Sequence, residues 1–236
     1  MKFVILSDTH CQHGKIDNIP NGDFLIHAGD FTSMGRPNEI HNFMKWFVNN
    51  PHKHKILIPG NHELTLCPRK RNYVLHKAVT SKNSWKMKRL FRDFIDAKSI
   101  VNLFSNDVHF LDNTGVTLEG VNFYGSPICN GDDYVMENWG FYRDTDKELI
   151  EEWNKIPFNT DVLITHVPPY GVLDAGYGCK HLLSRVNKIH PYLHIFGHIH
   201  SHGCLTLTTD KTVFVNGAML DDDYSIKNRK IMVHEI

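Results

Sequence analysis

Apolar runs along the chain end repeatedly on an Asp or a His. Residues 3–6 (FVIL) form an unbroken apolar run, the signature of a strand buried on both faces, and stop at Ser7-Asp8-Thr9-His10. After a turn signal at Asn21-Gly22, residues 23–27 (DFLIH) stop at Ala28-Gly29-Asp30. Residues 55–58 (KILI) lead into Pro59-Gly60-Asn61-His62-Glu63. Residues 161–165 (DVLIT) stop at His166, and residues 192–196 (YLHIF) at Gly197-His198-Ile199-His200. Between the second and third runs, Ile40, Phe43, Met44, Phe47 and Val48 recur at helical spacing. Pro37 suits the first helical position, and Asn49-Asn50-Pro51 ends the helix. Strand–helix–strand of this length predicts a parallel crossover.

Other segments carry weaker patterns. Residues 67–98 read as helical, with Met87, Leu90, Phe91 and Phe94 as the apolar stripe. Their other faces are basic: Arg69, Lys70, Arg71, Lys77, Lys82, Lys86, Lys88, Arg89, Arg92 and Lys98, against Asp93 and Asp96. Such a face is ordinarily just solvated; the sharper reading is a basic wall that attracts phosphate-bearing ligands. Residues 108–112 (VHFLD), 116–120 (VTLEG) and 121–125 (VNFYG) predict an antiparallel meander. Residues 126–141 read as a long aromatic loop, a candidate ligand wall. A capping box at Thr145-Asp146-Lys147-Glu148 opens a helix with Leu149, Ile150 and Trp153 inward. A modest helix near 181–187 and strands at 205–208, 212–215 and 231–236 complete the chain. No repeat, low-complexity segment or linker interrupts it, so residues 1–236 read as one domain.

Composition narrows the class. Apolar residues at 41% and charged residues at 22% fit a globular chain that buries a core. Lys+Arg and Asp+Glu are both 26, so no global field draws the protein to nucleic acid or membrane. Five dispersed cysteines without a C-x-x-C pair point to a reducing compartment. The first apolar run is too short for a signal peptide, and no run reaches the roughly 18 apolar residues a membrane span needs. A cytoplasmic protein is expected. The 17 histidines are the compositional oddity and prompt a search for a metal site.

That search converges on the strand ends. A lone Asp or His after a strand is ordinarily a turn residue, but Asp8/His10, Asp30, Asn61/His62, His166 and His198/His200 recur at five such ends. Sites in open α/β sheets form outside the carboxyl ends of strands. In Asp8-x-His10 and His198-x-His200, side chains two apart face the same way. A His, Asp and Asn mixture suits zinc, manganese or iron better than magnesium or calcium. His27 and His194 interrupt apolar strands and read as packed histidines, His194 with a supporting role as an alternative. Glu63 reads as a residue that caps or orients its neighbours, and Asn216 as one that returns towards the site. Cys11 lacks the partners of a nucleophile.

The segments DTH (8–10), GD (29–30), GNHE (60–63), TH (165–166) and GHIH (197–200) resemble the calcineurin-like metallophosphoesterases. The LSDTH, HAGDFT, PGNHELT, YGSP, WGF and THVPPYG stretches resemble the MPPED-type metallophosphodiesterase branch, and the resemblance spans residues 3–217. It implies a four-layer α/β/β/α sandwich of two mixed sheets flanked by helices. It implies two divalent ions (Mn, Fe or Zn): Asp8, His10 and His200 on the first, Asn61, His166 and His198 on the second, Asp30 bridging. His62 is implied to be no ligand but the catalytic residue over the phosphate, assisting departure of the leaving oxygen as a metal-bridging hydroxide attacks. The implied substrates are small phosphodiesters, cyclic nucleotides (2′,3′- or 3′,5′-) among them. Asn61 and His62 are expected to contact substrate, and Trp139, Phe141 and Tyr134 are candidates for stacking a base. Two alternatives stand beside this. One is a nuclease, or an enzyme acting on cyclic phosphate ends of RNA, that uses the basic stretch 67–98. The other is a catalytically weak nucleotide-binding module on the same fold. Oligomeric state is not readable.

Overall fold

The computed structural model describes residues 1–72, 84–131, 139–226 and 230–236, with side chains omitted at 84–88, 90 and 91. Tyr134, Lys77, Lys82 and the side chains of Lys86, Met87, Lys88, Leu90 and Phe91 therefore lie outside the described residues.

Two mixed sheets carry the chain. In the first, β1 (Lys2–Leu6), β2 (Phe24–His27), β3 (His54–Leu57) and β4 (His109–Phe110) run parallel. In the second, β6 (Val121–Ser126), β9 (Val162–Thr165), β10 (Leu193–Phe196) and β12 (Val213–Asn216) run parallel. Antiparallel strands close the edges: β5 (Thr114–Leu118) and β11 (Leu205–Thr208) on the second sheet, β13 (Met232–Glu235) on the first. A short parallel pair, β7 (Cys129–Asn130) and β8 (Tyr142–Arg143), sits apart.

Alternation along the strands dictates the layers. Phe3 and Ile5 of β1 point into the space between the sheets, with Phe24, Ile26 and Ile56, and meet Phe123, Val162, Ile164 and Ile195 of the second sheet. Val4 and Leu6 point the other way. There, with Leu25 and Leu57, they pack under α1 (Pro37–Val48) and α2 (Ser84–Leu103) through Ile40, Phe43, Phe47, Ala97 and Val101. On the far side, Leu163, Phe196 and Phe214 pack under α3 (Asp146–Trp153) and α4 (Lys180–Ile189) through Leu149, Trp153, Leu182 and Val186. Both faces of each parallel strand are covered, so these strands had to be written as continuous apolar runs. Each fully buried side chain of this kind contributes about 1.5–3 kcal/mol. The expected four-layer α/β/β/α sandwich is thus observed.

Two local expectations are corrected. Residues 108–112 do not join the meander: His109 and Phe110 pair parallel with Ile56 and Leu57 in the other sheet. Helix α2 returns the chain to the open edge of β3, a long-range placement that a short run cannot encode. Ile150 is 44% exposed, while Leu149 and Trp153 are buried. The buried stripe follows the i, i+4 pair, and Ile150 lies about 100° around the helix from Leu149.

Candidate metal centre

The C-terminal ends of β1, β2 and β3 meet those of β9 and β10 where the two sheets converge. Three backbone features let them come so close. Asp8, Asp30 and His198 adopt left-handed φ of 51°, 55° and 66°, a cost that persists only where surrounding structure fixes it. A Cβ on Gly29 would lie 2.9 Å from the Gly60 backbone and 2.6 Å from His166 Nδ1. A Cβ on Gly197 would overlap the Asp8 carboxylate and Ser7. The glycines of GD, GNH and GHIH are therefore requirements of close approach.

Each ligand-type side chain is aimed by its backbone. The Nδ1 atoms of His10, His62, His166 and His200 face the carbonyls of Thr32, Ser33, Ala28 and Asp221, at 3.2, 2.7, 2.9 and 3.1 Å. Their Nε2 atoms are thereby turned towards the carboxylates. The carboxylates are held likewise. The His62 N–H donates to Asp30 Oδ1 (2.8 Å) and the His198 N–H to Asp8 Oδ2 (2.9 Å). Asp30 Oδ2 then lies 3.3, 3.8 and 4.0 Å from Nε2 of His166, His10 and His62, and Asp8 Oδ1 lies 3.4 Å from His200 Nε2. His166 Nε2 also lies 2.9 Å from Asn61 Oδ1.

Three groups emerge whose ligand atoms all lie within 4.8 Å of one another: Asp8, His10 and His200; His10, Asp30 and His62; Asp30, His166 and His198. Asp30 belongs to two of them. Asp8 Oδ1 and His10 Nε2 are buried with no hydrogen bond among the described residues. Buried polar atoms are normally satisfied, so these two orphans facing the same space fit a cation. The donor set of imidazole, carboxylate and amide oxygen fits a divalent transition metal.

The electrostatics agree. Burial acts to raise the Asp8 carboxyl, but the neighbouring His200 imidazole and the His166 charge outweigh it and hold it well below the usual range. Burial likewise opposes ionisation of Asp30, and the His166 and His62 charges override it. Burial pushes His10 and His198 down to about 4. Burial would also lower His166, but the charge of Asp30 and its hydrogen bond prevail and push it up to about 9.

Glu63 ties two of these loops together. It is fully buried and accepts from the backbone N–H groups of Asp30, Thr32 and Gly60 and from the Thr32 hydroxyl. It orients its neighbours, as the sequence suggested. Glu63→Ala strands three buried backbone donors, each costing about 1–3 kcal/mol. We expect a loss of roughly 3 kcal/mol or more, read as a fall in denaturation midpoint at unchanged m-value, with activity lost in parallel.

The remaining expectations divide. His27 and His194 are buried against Thr9 and Thr165 hydroxyls, at 3.1 and 2.8 Å, and are packed histidines. Asn216 does return towards the site: its Nδ2 donates to the Ile199 carbonyl (2.9 Å) and steadies the loop carrying His198 and His200. Trp139 lines the cavity over the cluster, its ring 4.1 Å from that of His62. Phe141 does not. It is buried, its N–H donates to Cys67 Sγ, and it lines a separate cavity with Cys67 and Ile128. A left-handed φ of 63° at Phe141 turns it away, and no sequence period announces that. Tyr224 was missed. Its ring lies 4.9 Å from His10 and 5.1 Å from His200, in the cavity wall. The cavity, of about 430 Å³, is also lined by Asp222 and Tyr177. The turn at Asp221 to Asp223 was the available signal, but nothing in it pointed to the metal ligands.

Comparison with known proteins places this geometry. Residues 1–202 match the calcineurin-like phosphoesterase family. A Caenorhabditis elegans UPF0046 protein is 36% identical, over 99% of this chain and 75% of its own length. Human metallophosphoesterase domain-containing protein 1 is 35% identical, over 98% of this chain and 70% of its own. Among solved structures, TT1561 of Thermus thermophilus superposes with a TM-score of 0.57 at 11% identity, covering 91% of this chain and 88% of that one, a likeness of fold. Among the described residues no helix is long and apolar enough to cross a membrane. With its converging His and Asp clusters and a family match covering most of its length, the chain belongs to the calcineurin-like phosphoesterases.

Proposed function

We propose that this chain is a two-metal phosphodiesterase acting on nucleotide phosphodiesters, cyclic nucleotides among them. The observation that carries the reading is the shared position of Asp30 between two ligand clusters, with the His10, His62 and His166 imidazoles each held on a backbone carbonyl. Asp8, His10 and His200 would hold one ion, Asn61, His166 and His198 the other, and Asp30 both. Mn, Fe or Zn bound there supplies charge neutralisation for phosphoryl oxygens and activation of water. His62 is held apart for a different task. Its Nδ1–H donates to the Ser33 carbonyl, Trp139 covers one face, and its Nε2 is presented at the cavity. An imidazole so placed protonates the departing oxygen. The relatives' printed names support phosphoester chemistry and leave the substrate open.

The RNA-directed alternative gains no support. Among the described residues, Arg69, Lys70, Arg71, Arg89, Arg92 and Lys98 do not line the metal cavity, and Arg69 is paired with Glu148 at 3.0 Å. The deciding experiment is a rate panel with manganese: bis(p-nitrophenyl) phosphate, p-nitrophenyl phosphate, both cyclic AMP isomers and a short single-stranded RNA. Turnover of cyclic nucleotides and the diester above the monoester supports the reading. Activity confined to RNA or to the monoester would replace it.

A second expectation concerns pH. At neutral pH the carboxylates are ionised and His10 and His198 neutral, so none of these must lose a proton to coordinate. His166, pushed up to about 9, must, and so must His200, raised against its burial by the Asp8 carboxylate. Metal affinity should rise at least tenfold per pH unit from pH 6.5 towards 9, where it levels. Calorimetry in two buffers of different ionisation enthalpy reads the released proton; an affinity flat with pH over that range contradicts the assignment of His166.

A further inference from the structure

The metal cavity opens sideways into a larger trough of about 930 Å³, and Tyr142, Tyr177, His198 and Ile199 line both. A phosphate bound at the cluster would therefore have one side already faced by this trough. Three observations describe what the trough suits. First, it offers exposed aromatic surface: Tyr177 is 72% exposed and Tyr170 44%. Free-standing rings are costly to leave in water and suit a planar partner. Secondly, the loop that presents Tyr177 is braced. Asp174 Oδ2 accepts from the Gly171 and Gly178 N–H groups at 2.8 and 3.1 Å, and the Tyr177 N–H donates to the Asp174 carbonyl at 2.8 Å. The backbone that carries the ring is thus fixed before binding. Thirdly, Asn130 lines the same trough. Its Nδ2 donates to the Tyr177 carbonyl (3.4 Å), while its Oδ1 is buried without a hydrogen-bond partner among the described residues. The Nδ2 bond ties Asn130 to the loop that carries Tyr177.

Charge excludes one class of occupant. Lys180 and His181 lie in the trough, but Asp144 and Asp146 lie there too, and His181 is paired with Asp146 at 2.8 Å. Lys180 itself sits over the Tyr170 ring, 5.2 Å from its centroid. With the cations so matched, the trough has no net field for a further phosphate. An uncharged planar heterocycle fits these features. Phe141 does not compete for that role, since it is buried.

Building on the phosphodiesterase reading, we propose that the trough formed by Tyr177, Tyr170 and Asn130 is the nucleoside subsite, where the base of the substrate stacks on Tyr177. It selects nucleotide diesters over phosphodiesters with small aliphatic arms.

The test is equilibrium binding to the manganese-loaded protein, with adenosine 5′-monophosphate and inorganic phosphate as probes. The wild-type protein binds the nucleotide more tightly than phosphate. Tyr177→Ala, at a solvent-exposed position that folding does not need, weakens the nucleotide about 5–10-fold, the scale of lost base stacking, and leaves phosphate unchanged. Tyr177→Phe keeps the ring and restores nucleotide affinity. Equal wild-type affinities for the two probes, or a Tyr177→Ala protein that loses both or neither, overturn the subsite. A protein that discriminates between the probes as expected but hydrolyses no member of the rate panel sinks the catalytic reading and leaves the subsite standing.

Discussion

Asp30→Ala should abolish both metal loading and turnover. Asp30 is placed to touch everything in the centre. Its Oδ2 lies within 4.0 Å of three imidazole Nε2 atoms, and its Oδ1 accepts the His62 N–H that sets the third loop. A carboxylate is the side-chain type that would offer an anionic oxygen to each of two cations, as the proposed two-metal centre requires of Asp30. Removing an outer partner of a metal site costs about 10–100-fold, so loss of a shared ligand should exceed roughly 1,000-fold. Because the alanine also removes an acceptor in the loop, Asp30→Asn is the control. It retains an oxygen for the His62 N–H and tolerates the left-handed φ of 55°. The asparagine protein should fold with a near-normal denaturation midpoint and still fail to hold two ions, as read by elemental analysis. Full metal content and rate in Asp30→Asn would remove Asp30 from its assigned place.

His62→Ala should have the second largest effect and the opposite signature. Metal content is expected to stay at the wild-type level while the rate falls about 10²–10⁴-fold, the range for loss of a general acid. The loss should depend on the leaving group. An alkoxide, such as that released from a cyclic nucleotide, needs a proton, whereas p-nitrophenolate needs little help. The fall for 3′,5′-cyclic AMP should therefore exceed that for bis(p-nitrophenyl) phosphate by at least tenfold. A residue with a merely structural role would lower both equally. Geometry alone also permits His62 as a ligand, since it forms a close group with His10 and Asp30. Loss of an ion from His62→Ala would assign it that role instead.

Much of this architecture was legible because the parallel strands are buried on both faces. Runs such as 3–6 and 161–165 announce themselves, and the residue at which each stops lies at a strand's carboxyl end. Those ends converge, so a reading of strand ends was already a reading of the site. Close approach left a second trace, since glycine precedes Asp30, Asn61 and His198. What stayed hidden depended on long-range contacts. The pairing of β4 with β3 is decided by where α2 delivers the chain, not by the two residues that pair. In the aromatic loop, Trp139 and Phe141 are two residues apart, yet one covers His62 and the other turns to Cys67. Tyr224 and Tyr177 reach the cavity from turns, where no periodicity marks the facing residue. Asn216, near the C-terminus, could be suspected of returning towards the site, but its partner, the Ile199 carbonyl, could not be foreseen.

The most direct test of the two-metal assignment is a manganese titration of metal-stripped protein, counting bound ions while following hydrolysis of bis(p-nitrophenyl) phosphate in the same samples. Two ions per chain are expected, with a rate that appears as they load and is absent in Asp30→Asn at every concentration. Full hydrolysis by metal-free protein, or a maximal rate with a single ion bound, would contradict the assignment.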